Sequence, residues 1–501
     1  MAEHSLREVR IEKRQLLERE GLQVHPDRFE RTHTIRETMS AQPGTKVRTA
    51  GRVGQLRKFG KLTFATLQDF DGHIQIALLR GETPNYELFG KSVDRWDFLG
   101  VEGEMYYTDK GELTIRVHGW TFLGKTLQPP PNKYQGVKDV ETNWRKRYLD
   151  LVSNEETRAR FRVRTKAVNA LRDYLNGHGF VEVETPILNT QQSGALARPF
   201  FSRHNALDMD VVLRIAPETY LKRLIVGGYD RVYEFARCFR NEGLAASHLQ
   251  EFTMLEYYAA YWNYEDNMTF TEALLRHAIR EAVGTLQIER GGKVIDFDQP
   301  WPRRRLRDVI LEKSGIDIDA HHDDTSLREA IFANGVELDN PGAGRGSLVD
   351  QLYKRTARPT LIQPTFIVGH PVDLSPLARR NDENPDAVDR FQLVVDTWEV
   401  INAYSELVDP LDQRRRFEEQ AELRRKGDDE AMPADEDYLM AMEFGMPPIS
   451  GWGMGIDRFV ALLTDAPNLR DVVWFPLMKP ATDAEQEDEA SAASVAQTSD
   501  R

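Results

Sequence analysis

With one cysteine, Cys238, in 501 residues, the chain cannot close an internal disulfide or build a cysteine zinc cluster. No run of about 18 apolar residues occurs, so no membrane span is expected. The start, Met1-Ala2-Glu3-His4-Ser5, lacks basic residues ahead of an apolar stretch, and no secretory signal is read there. Internal repeats are absent. So is a positive balance: the net charge of −14 disfavours a general polyanion binder. What remains is 40% hydrophobic and 29% charged, the make-up of a soluble globular protein, expected in the cytoplasm. Its length predicts two or three domains.

The charge is uneven. Residues 1–61 hold 14 Lys/Arg against 8 Asp/Glu, whereas the last 21 residues hold 6 acidic groups and one Arg. A polyanion responds to a local patch, because screening cuts in at about 10 Å. A plain solvated helix fits the same numbers. Residues 1–45 read as a helical extension, with a charged amphipathic helix over 5–20 that Gly21 ends. Over 46–127 follow five short runs with strand character, at 47–53, 62–67, 74–79, 101–107 and 113–117, with turns at Asp71-Gly72 and Lys110-Gly111. So many short strands predict a small barrel, and the OB-fold is one that binds nucleic acid. Pro129-Pro130-Pro131 stiffens a linker over 128–141. A larger α+β domain takes 142–480, including a helix over 156–177 and a strand over 180–186. Residues 481–501, acidic and poor in apolar side chains, read as a disordered tail.

Residues 231–240 and 251–258 alternate like two strands of a hairpin. Period two then puts Phe252, Met254, Glu256 and Tyr258 on one face. That face offers an aromatic plate, a carboxylate and a phenol in line: a lining for adenine at one end and a cationic side chain at the other. An ordinary half-buried strand is the plain alternative. The same periodicity puts Asn402, Tyr404 and Glu406 together. Glycines from Gly451 to Gly455 lead into a helix whose first turn holds Arg458, where the helix dipole adds partial positive charge. With Arg240 ending the first hairpin strand, two arginines sit at the ends of regular elements, as the positioning of a triphosphate requires.

As a set, Phe239-Arg240-Asn241-Glu242-Gly243, His248, Glu251-Phe252-Thr253 and Gly451-Trp452-Gly453-Met454-Gly455-Ile456-Asp457-Arg458 resemble motifs 2 and 3 of class II lysyl-tRNA synthetases. The resemblance runs over nearly the whole chain and implies an α+β architecture. An N-terminal OB-fold β-barrel would bind the anticodon, and a class II catalytic domain would be built on an antiparallel β-sheet flanked by helices. It implies ATP and L-lysine as substrates, Mg²⁺ as cofactor and tRNA(Lys) as acceptor. By this resemblance Arg240 holds the α-phosphate and the amino-acid carboxylate, Glu242 the adenine amino group and His248 the phosphates. Phe252 stacks on the base, and Arg458 meets the γ-phosphate region. Residues 398–407 resemble the lysine-specific signature, so that Asn402, Tyr404 and Glu406 line the amino-acid pocket with Glu256 and Tyr258. Glu218 holds the substrate α-amine, with Gly194 nearby. Residues 179–186 match motif 1, which implies a homodimer. In the barrel, Arg52, Phe64 and Gln75 match positions that read the anticodon, Phe64 by stacking.

Two departures from the family stand out. Leu249-Gln250 follows His248 where relatives commonly carry Asn-Pro, which relaxes that loop. Arg390-Phe391-Gln392 replaces a glutamate that relatives bring to magnesium, leaving Glu399 and a glutamine that adds no negative charge. The three acids Glu218, Glu256 and Glu406, brought together, repel unless a cation lies between them. Lysine, with two ammonium groups, is such a cation; aspartyl and asparaginyl relatives would need a basic residue there. The expected reaction is lysine activation and transfer to tRNA, with no membrane partner. Lysylation of a protein and a catalytically silent RNA-binding paralogue are the competing readings.

Overall fold

The computed structural model describes residues 5–130, 139–195, 197–243, 245–425 and 434–480. The tail reading and most of the linker reading therefore lie outside the described residues. The chain forms two compact units, one ending at Asp139 and the other spanning Val140–Lys479.

In the first unit, Ser5 and Glu8 form a capping box that starts a helix at Leu6–Arg19. Leu17 on its inner face joins the barrel core. Part of the basic surplus is spent structurally, since Arg10 donates to the Thr126 carbonyl and Lys13 pairs with Asp94. The barrel strands are β1 (Lys46–Phe59), β2 (Leu62–Gln68), β3 (His73–Leu79), β4 (Phe98–Tyr107) and β5 (Leu113–Gly124). They pair in the order β1-β2-β3-β5-β4, and β4 returns to β1 to close the barrel. Strand β1 runs beyond the expected 47–53, because a bulge between Val53 and Leu56 lets residues 56–59 keep pairing with β2. A helix at Tyr86–Ser92, absent from the pattern reading, sets Phe89 into the barrel core.

The second unit carries the remaining strands. They are β6 (Val181–Glu182), β7 (Leu188–Asn189), β8 (Phe201–His204), β9 (Met209–Leu213), β10 (Arg231–Phe239) and β11 (Glu251–Ala260). Next come β12 (Gln287–Arg290), β13 (Lys293–Asp296), β14 (Arg303–Arg305), β15 (Thr365–Pro371), β16 (Ala387–Val395), β17 (Trp398–Ser405) and β18 (Ile449–Gly455). Eight of them form a mostly antiparallel sheet in the order β14-β15-β16-β17-β18-β11-β10-β6. The strand expected over 180–186 shrinks to β6, two residues pairing parallel with β10; Pro186 has no N–H with which to continue a ladder.

One face of the sheet is apolar. Leu255 and Tyr257 of β11, Ile401 and Ala403 of β17, and Trp452 and Met454 of β18 are all buried in the main core. The same core takes up side chains from the helices Glu155–Gly177 and Tyr264–Val283. Their alternating neighbours point to the opposite face, and on β18 those neighbours are Gly451, Gly453 and Gly455. The sheet therefore has a floor without side chains at its centre, and the site lies over that floor. Between β14 and β15, helices spanning residues 306–356 bury a separate core around Ile310, Leu348 and Leu352.

Candidate active site

Strands β10 and β11 form the expected hairpin, with Cys238 opposite Phe252 and Glu234 opposite Glu256. Next to β11 runs β18, with Glu256 opposite Gly453, and next to β18 runs β17, with Asn402 opposite Gly453. Two cavities open over these strands, of about 270 and 200 Å³. Arg240, Met254, Asn402 and Gly453 line both. Arg240 thus stands on the wall between them.

The larger cavity is lined by Gly194, Glu218, Glu256, Tyr258, Arg390, Asn402 and Tyr404, among others. Glu218 begins the helix Glu218–Val226, and its Oε1 accepts from the Tyr404 hydroxyl at 2.7 Å. Glu256 is buried and accepts from the Tyr258 hydroxyl at 3.3 Å. Burial first, then the nearby Glu218 charge, push the Glu256 carboxyl up to about 8, while Arg240 pulls the other way. Glu406 lies just past the end of β17, fully enclosed, and does not line the cavity. Gly194 adopts a positive φ of +85°, and a Cβ there would press on the Cβ of Glu218 at 3.2 Å.

One residue that pattern reading left without a role sits at the centre of these acids. Lys222, four residues beyond Glu218 on the same helix, is 0% exposed. Its Nζ is 2.6 Å from Glu218 Oε1 and in contact with Glu406 Oε2. Burial would lower its pKa, yet the Glu218 and Glu406 charges overcome that and hold it above its ordinary value. The E-x-x-x-K spacing on a helix was the only sequence signal for it. A basic residue thus does stand among the three acids, which corrects the argument that excluded aspartyl and asparaginyl relatives by its absence. It stands behind the acids and does not line the cavity.

The smaller cavity carries charges of both signs. Glu242, His248, Phe252, Glu399 and Arg458 line it. The Arg240 guanidinium lies 5.1 Å from the Phe252 ring centre, and its Nε is buried without a hydrogen-bond partner. Arg458 falls in the first turn of the helix Ile456–Leu463. It donates to the carbonyls of Glu399 at 3.2 Å and Ser247 at 3.5 Å. Burial lowers the Arg458 pKa, and burial with the Arg458 charge lowers that of His248, whose Nε2 is 3.4 Å away. Asp457 fixes this helix start by accepting from the Thr253 N–H at 3.0 Å and from Arg164 at 2.7 Å.

Gln392 is buried on β16 opposite Asn402 and lines neither cavity. Of the two expected metal ligands, only Glu399 faces the nucleotide side. Among the described residues no group of three or more His, Cys, Asp or Glu is arranged to hold a metal ion. The donors present thus suit an ion that brings most of its oxygen ligands with it, as a metal–triphosphate does. Cys238 is buried, and burial pushes its thiol up to about 12, leaving it no nucleophilic role.

In the barrel unit Arg52 lies opposite Gln68 on the outer face, and Phe64 and Gln75 share that face, with Thr66 opposite Gln75. Arg52 stacks over Phe98 at 4.3 Å. Phe64 is half-buried, with Phe59 edge-on at 6.3 Å. Gln75 is enclosed, donating to Thr114 Oγ1 at 2.9 Å and accepting from Arg57 at 3.3 Å. A base edge reaching it would have to displace Arg57.

Residues 139–479 match the family of tRNA synthetases class II (D, K and N), and residues 47–123 match the OB-fold nucleic acid binding domain. A lysine–tRNA ligase of Pelotomaculum thermopropionicum is 45% identical over 483 residues, covering 95% of each chain. One of Moorella thermoacetica is 45% identical over 96% of this chain and 99% of its own. One of Latilactobacillus sakei is 46% identical over 94% and 95%.

Proposed function

This chain belongs to the class II tRNA synthetases (D, K and N), and on that premise we propose that it activates L-lysine with ATP and transfers the lysyl group to tRNA(Lys). The observation that carries this reading is the position of Arg240, which lines both the cavity that holds Glu218 and Glu256 and the cavity that holds Phe252, His248 and Arg458. A diammonium amino acid belongs in the first, with its carboxylate directed at Arg240. A triphosphate belongs in the second. The α-phosphorus of ATP then meets the attacking carboxylate at the shared wall.

In the first step a lysine carboxylate oxygen bonds to the α-phosphorus and the bond to the bridging oxygen of pyrophosphate breaks. Lysyl-adenylate and pyrophosphate result. Arg240 stabilises the charge that develops on the α-phosphate, and Arg458 with His248 takes the pyrophosphate end. Phe252 offers a stacking face to adenine and Glu242 an acceptor for its amino group. In the second step the 3′-terminal hydroxyl of tRNA attacks the lysyl carbonyl and AMP leaves; a phosphate oxygen takes the proton, since no side chain in the cavity is placed as a general base. Bound to ATP beside Glu399, Mg²⁺ would supply charge neutralisation on the phosphate oxygens.

The outer face of the barrel, with Arg52 and Phe64, is proposed to hold the anticodon. Exposed Val181, Ile187 and Leu188, 41–53% accessible, support a homodimer through the motif 1 segment. No helix among the described residues is long and apolar enough to cross a membrane, and the cytoplasm, where tRNA is charged, is the proposed location. The test is ATP–pyrophosphate exchange stimulated by lysine, aspartate or asparagine, followed by charging of tRNA. Exchange with lysine alone and lysyl-tRNA formation are expected. Exchange with another member of the set refutes the amino-acid assignment, and no exchange at all favours the silent RNA-binding paralogue that Gln392 hints at.

A further inference from the structure

The acid chamber contains a cation of its own. Lys222 Nζ, 0% exposed, sits between Glu218 and Glu406, and the rings of Tyr258, Tyr404 and Tyr438 surround it at 5.7–5.9 Å. Three aromatic faces and two carboxylates make a complete ammonium cage, filled from within. Both carboxylates take it from behind. Glu406 Oε1 keeps no hydrogen-bond partner, although the residue is fully buried. That oxygen lies where a side chain on Gly451 would be, 2.1 Å from its Cβ position, so it points toward the hollow floor of the cavity. Glu256, by contrast, has no ion-pair partner among the described residues and accepts from the Tyr258 hydroxyl.

We propose that Lys222 is a positioning residue for amino-acid binding. It serves as a resident counter-ion that holds Glu218 and Glu406 aimed at the cavity before substrate arrives, and so leaves Glu256 as the one acid whose charge the incoming amino acid must offset. The proposal rests on lysine being the substrate and adds how the pocket is prepared for it. Three carboxylates meeting one diammonium ligand would otherwise have to take up protons in the empty pocket and lose them on binding. With Lys222 in place, Glu218 and Glu406 already have a cation in contact. Around Glu256 the charged and titratable neighbours are Glu218, Arg240, Tyr258, Glu234, Glu406, Tyr404 and Cys238. Around Glu406 they are Lys222, Glu218, Glu256, Tyr258, Tyr404 and Tyr438, and burial, opposed by the Lys222 charge, pushes the Glu406 carboxyl well above its ordinary value. Of these only Glu256 both lines the cavity and stands protonated near neutrality, since it titrates at about 8. An arriving ammonium group favours its anion. The proton therefore leaves as lysine binds below that pH, and Glu256 has none to give up well above it.

Two measurements on the full-length protein decide the matter. The first compares wild type with Lys222→Met in lysine-dependent exchange from pH 6.5 to 9.5. The variant is expected to raise KM for lysine about a hundredfold at pH 7, the cost of leaving buried acids without their partner, while KM for ATP changes less than about threefold. The lysine defect shrinks at least tenfold by pH 9.5, where the uncompensated acids ionise. A lysine KM whose pH profile matches wild type, with only thermal stability reduced, makes Lys222 a structural cation and overturns the proposal. The second measurement uses wild type alone and stands if the variant does not fold. Calorimetry in buffers of different ionisation enthalpy should give close to one proton released per lysine bound at pH 7, turning to net uptake by pH 9.5, where the α-amine of free lysine is itself largely deprotonated. Release of none, or of two or more, at pH 7 also overturns it. If wild type binds no lysine, the functional reading itself is at fault; if it binds lysine without these signatures, only the role of Lys222 is.

Discussion

On the amino-acid side of Arg240 the acids have partners supplied by the fold: Lys222 for Glu218 and Glu406, and the Tyr258 hydroxyl for Glu256. On the nucleotide side no carboxylate among the described residues pairs with Arg240 or Arg458; Arg458 leans on two carbonyls and His248, and Arg240 Nε has nothing. The two halves treat charge in opposite ways. A small dication is bound by a chamber already balanced to within about one charge, which makes recognition a matter of fit. A triphosphate brings several charges, and the two arginines donate to carbonyls and to no carboxylate among the described residues, so that their electrostatic energy goes into the ligand and the developing transition state.

The sharpest way to break this contrast is at the wall. Arg240→Ala removes the one side chain that serves both cavities, and lysine-dependent exchange should fall by about a thousandfold, in the range known for losing a preorganised charge donor. Near-normal exchange would place the chemistry elsewhere. Next in size is Gly451→Ala, which acts on the amino-acid side only. Its Cβ would stand 2.1 Å from Glu406 Oε1 and 2.4 Å from Tyr258 Cε1, both in buried residues with little room to retreat. Overpacking of this kind costs about 1–3 kcal/mol, so KM for lysine should rise between about five- and a hundredfold with KM for ATP unchanged. Gly453→Ala comes close to the flexible Met254 terminus at 3.3 Å and otherwise makes ordinary contacts with Glu256 Cγ at 3.5 Å and the Asn402 carbonyl at 3.9 Å, so it should do much less. If the two alanines behave alike, the glycine floor is not what shapes the amino-acid pocket.

That floor also shows where sequence reading succeeds and where it stops. The alternation in β11 placed Phe252, Met254, Glu256 and Tyr258 on one face, and all four do line the two cavities. Such a statement needs only period two within one strand. The glycines of β18 announce a close approach to the sheet, but which cavity each one serves is not visible in the sequence: Gly451 lines the larger cavity, Gly455 the smaller and Gly453 both, because the register with β11 and β17 is a tertiary fact. Lys222 was invisible for the same reason. Its neighbour Glu218 is four residues away and could be guessed, but Glu406 is 184 residues on, and only the folded sheet brings it back. Gln75 was read as a base-reading side chain, yet Thr114 and Arg57 from other strands enclose it. Short-range periodicity was legible; which faces meet was not.

The barrel offers a smaller and separable effect. If Phe64 stacks an anticodon base, Phe64→Ala should raise KM for tRNA about tenfold, the order of one lost stacking contact, and leave lysine-dependent exchange intact. A change in exchange as well would mean that the substitution reaches the catalytic unit through folding.

The least dramatic prediction asks whether the nucleotide side is short of one metal ligand. Gln392 is neutral, buried on β16 and close to His370, whose pKa burial and Arg390 hold well below its ordinary value. Gln392→Glu would add a carboxylate opposite Asn402, a residue that lines both cavities. If β16 contributes to metal binding, a charged oxygen there lowers the Mg²⁺ concentration for half-maximal exchange several-fold and leaves kcat at saturating Mg²⁺ nearly constant, because ATP already brings the ion's other oxygens. If Gln392 is only a sheet residue, the new charge has no cation to meet. The Mg²⁺ midpoint then stays put, and the variant pays in thermal stability instead, as an unpaired buried carboxylate must.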